Sequence, residues 1–252
     1  MQIFKRMLAL CLIAITAIAF AGCGLNSVSG NGTEGDGQGD VKQEVLLEGK
    51  HFLFLGSSVT YGAASGGWSM CEYLSENYNC TITKLAVSGT TLVTSSSNSY
   101  VQRLVQQAGL ISNVDHVVVQ LSTNDATQSK PLGELSSSNV KDDFDTTTVL
   151  GAIEYIIAFS QEKWNCPVSF YTGTRFLNLN YKKMVAALKG EVKDKWGIGV
   201  IDLWDDEEML SVMDNKELYD AYMHDTIHPT KLGYSEWWGP KFYEFLYAYY
   251  NS

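Results

Sequence analysis

The sequence has little proline, histidine or cysteine, and its acidic residues outnumber its basic ones. Among 252 residues there are four prolines, four histidines and five cysteines, with 28 acidic residues against 18 basic. A chain with a formal net charge of −10 is a poor partner for nucleic acid or for anionic lipid headgroups, so we expect no nucleic-acid partner. Because no Cys-x-x-Cys pair or Cys/His cluster occurs, we expect no metal site and no cofactor.

The sequence also lacks an apolar run long enough to cross a bilayer. The charge-free run from Met7 to Phe20 is shorter than the roughly 20 residues that a spanning helix needs. It follows Lys5 and Arg6 and ends on small residues just before Cys23, which is the pattern of an export signal. We therefore interpret residues 1–22 as a signal peptide.

The stretch FAGC around Cys23 resembles a bacterial lipobox, although Phe20 stands where Leu is usual. The resemblance implies that Cys23 is lipidated and becomes the first residue of an exported, envelope-located protein, with the lipid as its only membrane attachment. Simple secretion is the alternative. Residues 23–45 are rich in Gly, Ser, Asn and Asp, which predicts a flexible tether. Residues 46–252 are enough for one domain.

Short apolar runs alternate with helix-favouring stretches along this domain. Several of the runs are nearly continuous, as in strands whose two faces are both covered by helices. The alternation predicts an α/β fold, a three-layer α/β/α sandwich around a five-stranded parallel sheet. The predicted strands are 51–55, 81–87, 116–121, 167–172 and 197–203, and the predicted helices are 68–78, 100–111, 144–164, 178–196 and 231–250.

Four polar segments follow the predicted strands. GSSVTYG (56–62), SGTT (88–91) and STND (122–125) come directly after the first three strands, and HDTIHPTKLGY (224–234) comes beyond the fifth. The carboxyl ends of parallel strands lie at one edge of the sheet, where ligand sites form. We therefore expect these segments to converge.

In this order and spacing, the segments resemble the four signature blocks of the SGNH (GDSL-like) hydrolase superfamily. The resemblance covers essentially the whole domain, and it implies a flavodoxin-like sandwich that hydrolyses carboxylic esters. It assigns Ser58 as the nucleophile, with Asp225 and His228 as its acid and base. It also implies an oxyanion hole formed by the backbone N–H groups of Ser58 and Gly89 and by the amide of Asn124.

The chemistry requires these residue types on physical grounds. A serine hydroxyl is a weak nucleophile until a base takes its proton, and a histidine oriented by an aspartate is the natural base near neutral pH. The sequence departs from the superfamily pattern at two positions, since Ser57 replaces the Asp of G-D-S and Ser122 replaces the Gly of G-x-N-D. Ser57 leaves two adjacent hydroxyls, of which the register of the motif selects Ser58.

Some single residues have other interpretations. His224 and His228 have the spacing of a zinc pair on a helix, but Pro229 argues against a continuous helix there. Cys71 and Cys80 fit either a disulfide or two buried thiols. The G-x-S-x-G elbow of the α/β-hydrolase fold is absent.

The expected substrate is a small-molecule or glycan ester with a short acyl group, acetyl above all. The longest predicted loop, 126–143, is polar and offers a long acyl chain no apolar surface. Tyr61 and Trp68 follow Ser58 closely and are candidates for stacking on a sugar ring, although Trp68 also suits the core. Alternatives are a lipase, a thioesterase or an acyltransferase with the same catalytic residues, or a binding lipoprotein without catalysis.

Overall fold

A computed structural model describes residues 47–95 and 97–252. The predicted signal peptide and tether, with Cys23, lie outside the described residues. Five parallel strands form one sheet in the order β2-β1-β3-β4-β5, which confirms the predicted sheet. The strands are β1 (His51–Gly56), β2 (Thr81–Ala86), β3 (His116–Gln120), β4 (Val168–Tyr171) and β5 (Gly199–Ile201).

Helices connect the strands and cover both faces of the sheet. Short 3₁₀ segments lie at Ala63–Ser65, Ala108–Leu110 and Lys141–Asp143, and short π segments lie at Leu188–Val192 and Tyr234–Trp238. In the described part of the chain the α-helices are α1 (Ser58–Tyr61), α2 (Met70–Tyr78), α3 (Tyr100–Gln107), α4 (Thr123–Thr127), α5 (Val149–Trp164), α6 (Leu179–Ala187), α7 (Lys193–Trp196), α8 (Glu207–Asp214), α9 (Lys216–Tyr222), α10 (Lys231–Gly233) and α11 (Gly239–Tyr250).

Alternation of side chains along the strands divides the core into two layers. Leu53 and Leu55 of β1 belong to a cluster with side chains of α3, α5 and α6. Phe52 and Phe54 belong to a second cluster with side chains of α2 and α11. Burial of a large apolar side chain stabilises the fold by about 1.5–3 kcal/mol, so both clusters contribute substantially. This arrangement is the predicted three-layer sandwich.

The register of the strands places their carboxyl ends side by side. Leu55 pairs with Leu85 on β2 and with Val119 on β3, and Gln120 pairs with Tyr171 on β4. The polar segments that follow β1, β2 and β3 therefore leave the sheet next to one another.

Four short helices were not predicted, namely α1, α4, α8 and α9. The predicted helix 178–196 is interrupted at Gly190, which has φ −97° and ψ −105°. Asp206 caps α8, accepting a hydrogen bond from the N–H of Met209 at 3.0 Å. Among the described residues, no helix is both long and apolar enough to span a membrane, and Cys71 and Cys80 are separate, buried thiols.

Candidate active site

Ser58 is the first residue of α1, directly after β1, and its side chain is largely buried. The chain turns sharply here because Gly56 has no side chain: a Cβ at this position would lie 1.6 Å from Oγ1 of Thr60. The N–H of Ser58 belongs to the first turn of the helix, where no carbonyl of the helix can accept it. It is therefore available to a ligand.

The hydroxyl of Ser57 points in a different direction from that of Ser58. Ser57 is fully buried, and its Oγ donates to Oε1 of Gln120 at 3.3 Å. Oγ of Ser58 instead lies 2.8 Å from Nε2 of His228. Of the two adjacent serines, only Ser58 is in contact with the histidine.

Asp225 and His228 lie on a short loop that is closed at its base. Met223 and Pro229 form an isolated antiparallel bridge, and the N–H of His224 donates to the carbonyl of His228 at 2.8 Å. Inside the loop, Oδ1 of Asp225 accepts the N–H groups of Ile227 and His228, each at 2.8 Å. These bonds fix the carboxylate relative to the imidazole.

The ring of His228 lies between Asp225 and Ser58. Its Nδ1 is 2.8 Å from Oδ2 of Asp225 and 3.0 Å from Oδ1. Burial acts to raise the pKa of Asp225, but hydrogen bonds from the N–H of Ile227 and from the ring and N–H of His228 outweigh it, so the pKa is lowered. An ionised carboxylate only accepts hydrogen bonds, so Nδ1 carries the proton and Nε2 accepts from the Ser58 hydroxyl.

Gly89 and Asn124 lie on the loops that follow β2 and β3. Gly89 has φ +80°, and a Cβ at this position would have no other atom within 4 Å, so glycine is required by the backbone and the space beside it is open. Nδ2 of Asn124 donates to the carbonyl of Thr90 at 2.9 Å. This bond ties Asn124 to the Gly89 turn and leaves its second amide hydrogen available.

Two charged residues that the sequence did not single out hold these loops. Asp125 is buried, which raises the pKa of its carboxyl, and its oxygens accept the N–H groups of Leu92 and Val93 at 2.7 and 3.3 Å. Its position inside the STND motif was the available signal. Arg103 on α3 is also buried, and nothing in the sequence marked it.

The guanidinium of Arg103 connects the end of β1 to the loop after β2. It donates to the carbonyl of Gly56 at 2.7 Å, to that of Leu85 at 3.3 Å and to that of Asn98 at 2.8 Å. A further contact at 3.4 Å reaches Oγ1 of Thr90. Burial lowers the pKa of Arg103. The cation thus braces the chain on both sides of the predicted oxyanion hole.

The pair His224 and His228, considered above as zinc ligands, does not lie on one helix, since both belong to the loop between α9 and α10. Within residues 47–95 and 97–252, no group of three or more His, Cys, Asp or Glu converges as a metal site.

Known proteins share this architecture. The family model of the GDSL-like lipase/acylhydrolase family matches residues 54–235. No curated protein matches the chain. A protein from Lactobacillus plantarum has a similar structure, with a TM-score of 0.62 and 18% identity over 81% of this chain and 97% of that one.

Two further solved structures have names that refer to ester chemistry. A member of the lipolytic G-D-S-L family from Veillonella parvula has a TM-score of 0.56 and 18% identity, over 77% of this chain and 97% of its own. The psychrotrophic esterase EstA from Pseudoalteromonas sp., inhibited by monoethylphosphonate, has a TM-score of 0.57 and 16% identity, over 81% of this chain and 100% of its own. At these identities the likeness shows a shared fold.

Proposed function

The chain belongs to the GDSL-like lipase/acylhydrolase family, within the SGNH hydrolases, and is a serine ester hydrolase; we propose that Ser58, His228 and Asp225 are its catalytic residues. The observation that carries this assignment is the continuous line of hydrogen bonds from Asp225 through His228 to Oγ of Ser58. A binding module without catalysis has no need of this alignment.

In the first half of the reaction, Oγ of Ser58 attacks the ester carbonyl while its proton passes to Nε2 of His228. The resulting oxyanion accepts hydrogen bonds from the N–H groups of Ser58 and Gly89 and from Nδ2 of Asn124. The tetrahedral intermediate then breaks its bond to the alcohol oxygen, which takes the proton from His228. An acyl-serine and a free alcohol remain.

In the second half, water attacks the acyl-serine and gives its proton to His228. The second tetrahedral intermediate expels Oγ of Ser58, which recovers that proton, and the carboxylic acid leaves. Access for water favours hydrolysis over acyl transfer, since the side chain of Asp225 is 49% exposed and Gly89 is exposed. An acyltransferase with these residues would have to exclude water at this step.

For the substrate, we propose a short acyl ester, acetyl above all, of a carbohydrate. Tyr61, three residues after Ser58 on the same helix, has an exposed ring, and Nζ of Lys84 lies 5.7 Å from that ring's centre. Trp68 is less suitable for stacking because it is half-buried and its Nε1 donates to Oε1 of Glu76 at 3.1 Å. The polar loop before α5 supports a polar alcohol.

An apolar patch favours a second candidate, an esterase or lipase for longer acyl chains. Phe176, Leu177, Leu179 and Met213 line a groove of ≈ 440 Å³ beside the loop after β4, and Leu177 is fully exposed. Nδ2 of Asn180 donates to the carbonyl of Ala126 at 3.3 Å, so the start of α6, which follows this loop, adjoins the helix that carries Asn124. Each methylene that the patch buried would contribute about 0.8 kcal/mol.

A series of p-nitrophenyl esters from acetate to palmitate separates the two candidates. If the acetyl-ester proposal is right, kcat/KM falls beyond butyrate, and Leu177→Asp leaves the profile unchanged. If kcat/KM rises with chain length and Leu177→Asp removes the rise, the longer-chain enzyme is right. Leu110→Asp is the matched control, because Leu110 is also exposed but precedes β3, at the opposite edge of the sheet.

A fluorophosphonate probe tests the catalytic assignment itself. The described domain should become labelled at Ser58, and Ser58→Ala should abolish both labelling and ester hydrolysis. Ser57→Ala, the matched control on the neighbouring residue, should retain most activity because its hydroxyl faces Gln120. The opposite pattern in the two variants would show that Ser57 is the nucleophile.

We also propose that the enzyme works outside the cytoplasm, held at the bacterial cell envelope by lipid on Cys23. The support for this location is the sequence pattern of the first 23 residues. A tethered enzyme at that place would meet polysaccharides and their esters, in agreement with the proposed substrate class.

A further inference from the structure

The turn that carries Ser58 is hydrogen-bonded to a buried residue of the neighbouring strand β3, outside the signature motifs. Gln120, the last residue of β3, is 1% exposed. Its Oε1 lies 2.9 Å from the N of Ser57 and from Oγ1 of Thr60, its two nearest donors, and 3.3 Å from the N of Thr60 and from Oγ of Ser57. Because a backbone N–H can only donate, these contacts fix the orientation of the carboxamide.

The four donors lie on both sides of Ser58 in sequence. The N–H of Ser58 is not among them, so Gln120 satisfies the neighbouring groups and leaves that one free. Other side chains support only one point of the turn each: the hydroxyl of Tyr171 lies 2.6 Å from Oγ1 of Thr60, and that of Tyr234 donates to the carbonyl of Val59 at 2.6 Å.

Helix α1 has only four residues, too few to be stable without tertiary contacts. The direction of the Ser58 hydroxyl therefore depends on what holds the turn. A shift of about 1 Å in a reacting group costs about 100-fold in rate. The contacts of Gln120 with Ser57 and Thr60, which we call the clamp, hold the chain both before and after Ser58.

We propose that Gln120 is a positioning residue, which aims the hydroxyl of Ser58 at His228 and keeps the N–H of Ser58 free for the oxyanion. The inference rests on the proposed role of Ser58 as nucleophile. This role of Gln120 explains how the turn of the G-S-S motif is held although Ser57 stands where the superfamily motif has Asp. The Ser57 hydroxyl donates to the acceptor on Gln120, whereas an ionised Asp has no hydrogen to donate.

The test is Gln120→Met, which keeps the length of the side chain and removes the acceptor. The active-site concentration is counted by complete fluorophosphonate labelling, and kcat for p-nitrophenyl acetate is expressed per labelled site. We expect kcat to fall about 10- to 100-fold with KM within about twofold of the wild-type value. If the wild-type enzyme does not label at Ser58, the proposed function fails before this variant is made.

The matched control is Ser169→Ala, which removes another buried side-chain bond between β3 and β4. Oγ of Ser169 lies 2.8 Å from Nε2 of His116, at the amino end of the same strands and away from the site. Both variants should lower the melting temperature, but only Gln120→Met should lower kcat per labelled site. An unchanged kcat in Gln120→Met, or an equal fall in both variants, would overturn the proposal.

If Gln120→Met does not fold, the double variant Ser57→Ala/Thr60→Val carries the test, because it removes both hydroxyl donors and leaves Gln120 in place. We expect its kcat per labelled site to fall, but by less than in Gln120→Met, since the N–H groups of Ser57 and Thr60 still donate to Oε1 of Gln120. A double variant with wild-type kcat would show that the clamp does not position Ser58.

Discussion

Asp225→Asn tests the arrangement of protons along the hydrogen-bonded line. In the native loop, Oδ1 of Asp225 accepts two backbone N–H groups, and Oδ2 lies 2.8 Å from Nδ1 of His228. The oxygen of an asparagine must take the Oδ1 position, because only an acceptor satisfies those two N–H groups. Its NH₂ group then faces Nδ1.

An NH₂ group facing Nδ1 reverses the tautomer of His228. Nδ1 becomes the acceptor, Nε2 carries the hydrogen, and the ring can no longer accept a proton from Ser58. The same substitution in serine protease triads lowers kcat about 10⁴-fold, which corresponds to about 5.5 kcal/mol of lost transition-state stabilisation. Since the loop keeps its backbone bonds, we expect little change in stability.

The assay is kcat for p-nitrophenyl acetate at pH 8, with thermal unfolding measured on the same preparation. Asp225→Glu, which keeps the charge but moves the carboxylate, should lose less activity than Asp225→Asn. An Asp225→Asn enzyme within about tenfold of wild type would refute the reasoning and show that another group orients His228.

Three further predictions concern pH, stability and location. Activity should fall reversibly on mild acidification, with circular dichroism unchanged, because a protonated imidazole cannot take the proton of Ser58. The pKa of Asp225 is lowered in the folded protein, so its stabilising contribution is present above the ordinary aspartate pKa and is lost only below about pH 4. Loss of secondary structure together with activity above about pH 4 would contradict this. Arg103→Met leaves the carbonyls of Gly56, Leu85 and Asn98 without their donor. It should lower the free energy of unfolding, measured in urea, by about 3 kcal/mol. The control Arg175→Met, at an exposed position, should change this free energy little. Cys23→Ser should move the protein from the membrane fraction to the soluble fraction of a lipoprotein-processing bacterium, and an unmodified Cys23 in a soluble wild-type protein would rule out the anchor.

The sheet was predictable because its strands carry a strong signal. Runs such as that of β3 are continuously apolar, since helices cover both faces, and all five predicted strands are present. The missed helices carry no such signal: α1 and α4 have four and five residues, less than two helical turns, so no periodicity can develop. Helices α8 and α9 have only eight and seven residues and expose most of them, so the few side chains that face the core, such as Met209 and Met213, give only a short apolar pattern.

The predicted site residues could be named because short motifs keep them at fixed places after strands. Gln120 and Arg103 could not be named, since their roles depend on contacts across strands that have no fixed spacing in sequence. One signal was nevertheless present for Gln120, a polar side chain inside the apolar run HVVVQL. A buried polar group must find partners, and here those partners are the flanks of Ser58.

The loop closed by the Met223–Pro229 bridge carries both Asp225 and His228, whereas Ser58 follows the end of β1, an interior strand of the sheet. Asp225 and His228 therefore leave or reach Ser58 together, as one small unit with its own opening equilibrium. On heating, this loop should open before the two apolar layers separate. Esterase activity should consequently disappear at a lower temperature than the tryptophan fluorescence of the folded core, and cooling from that interval should restore it in full.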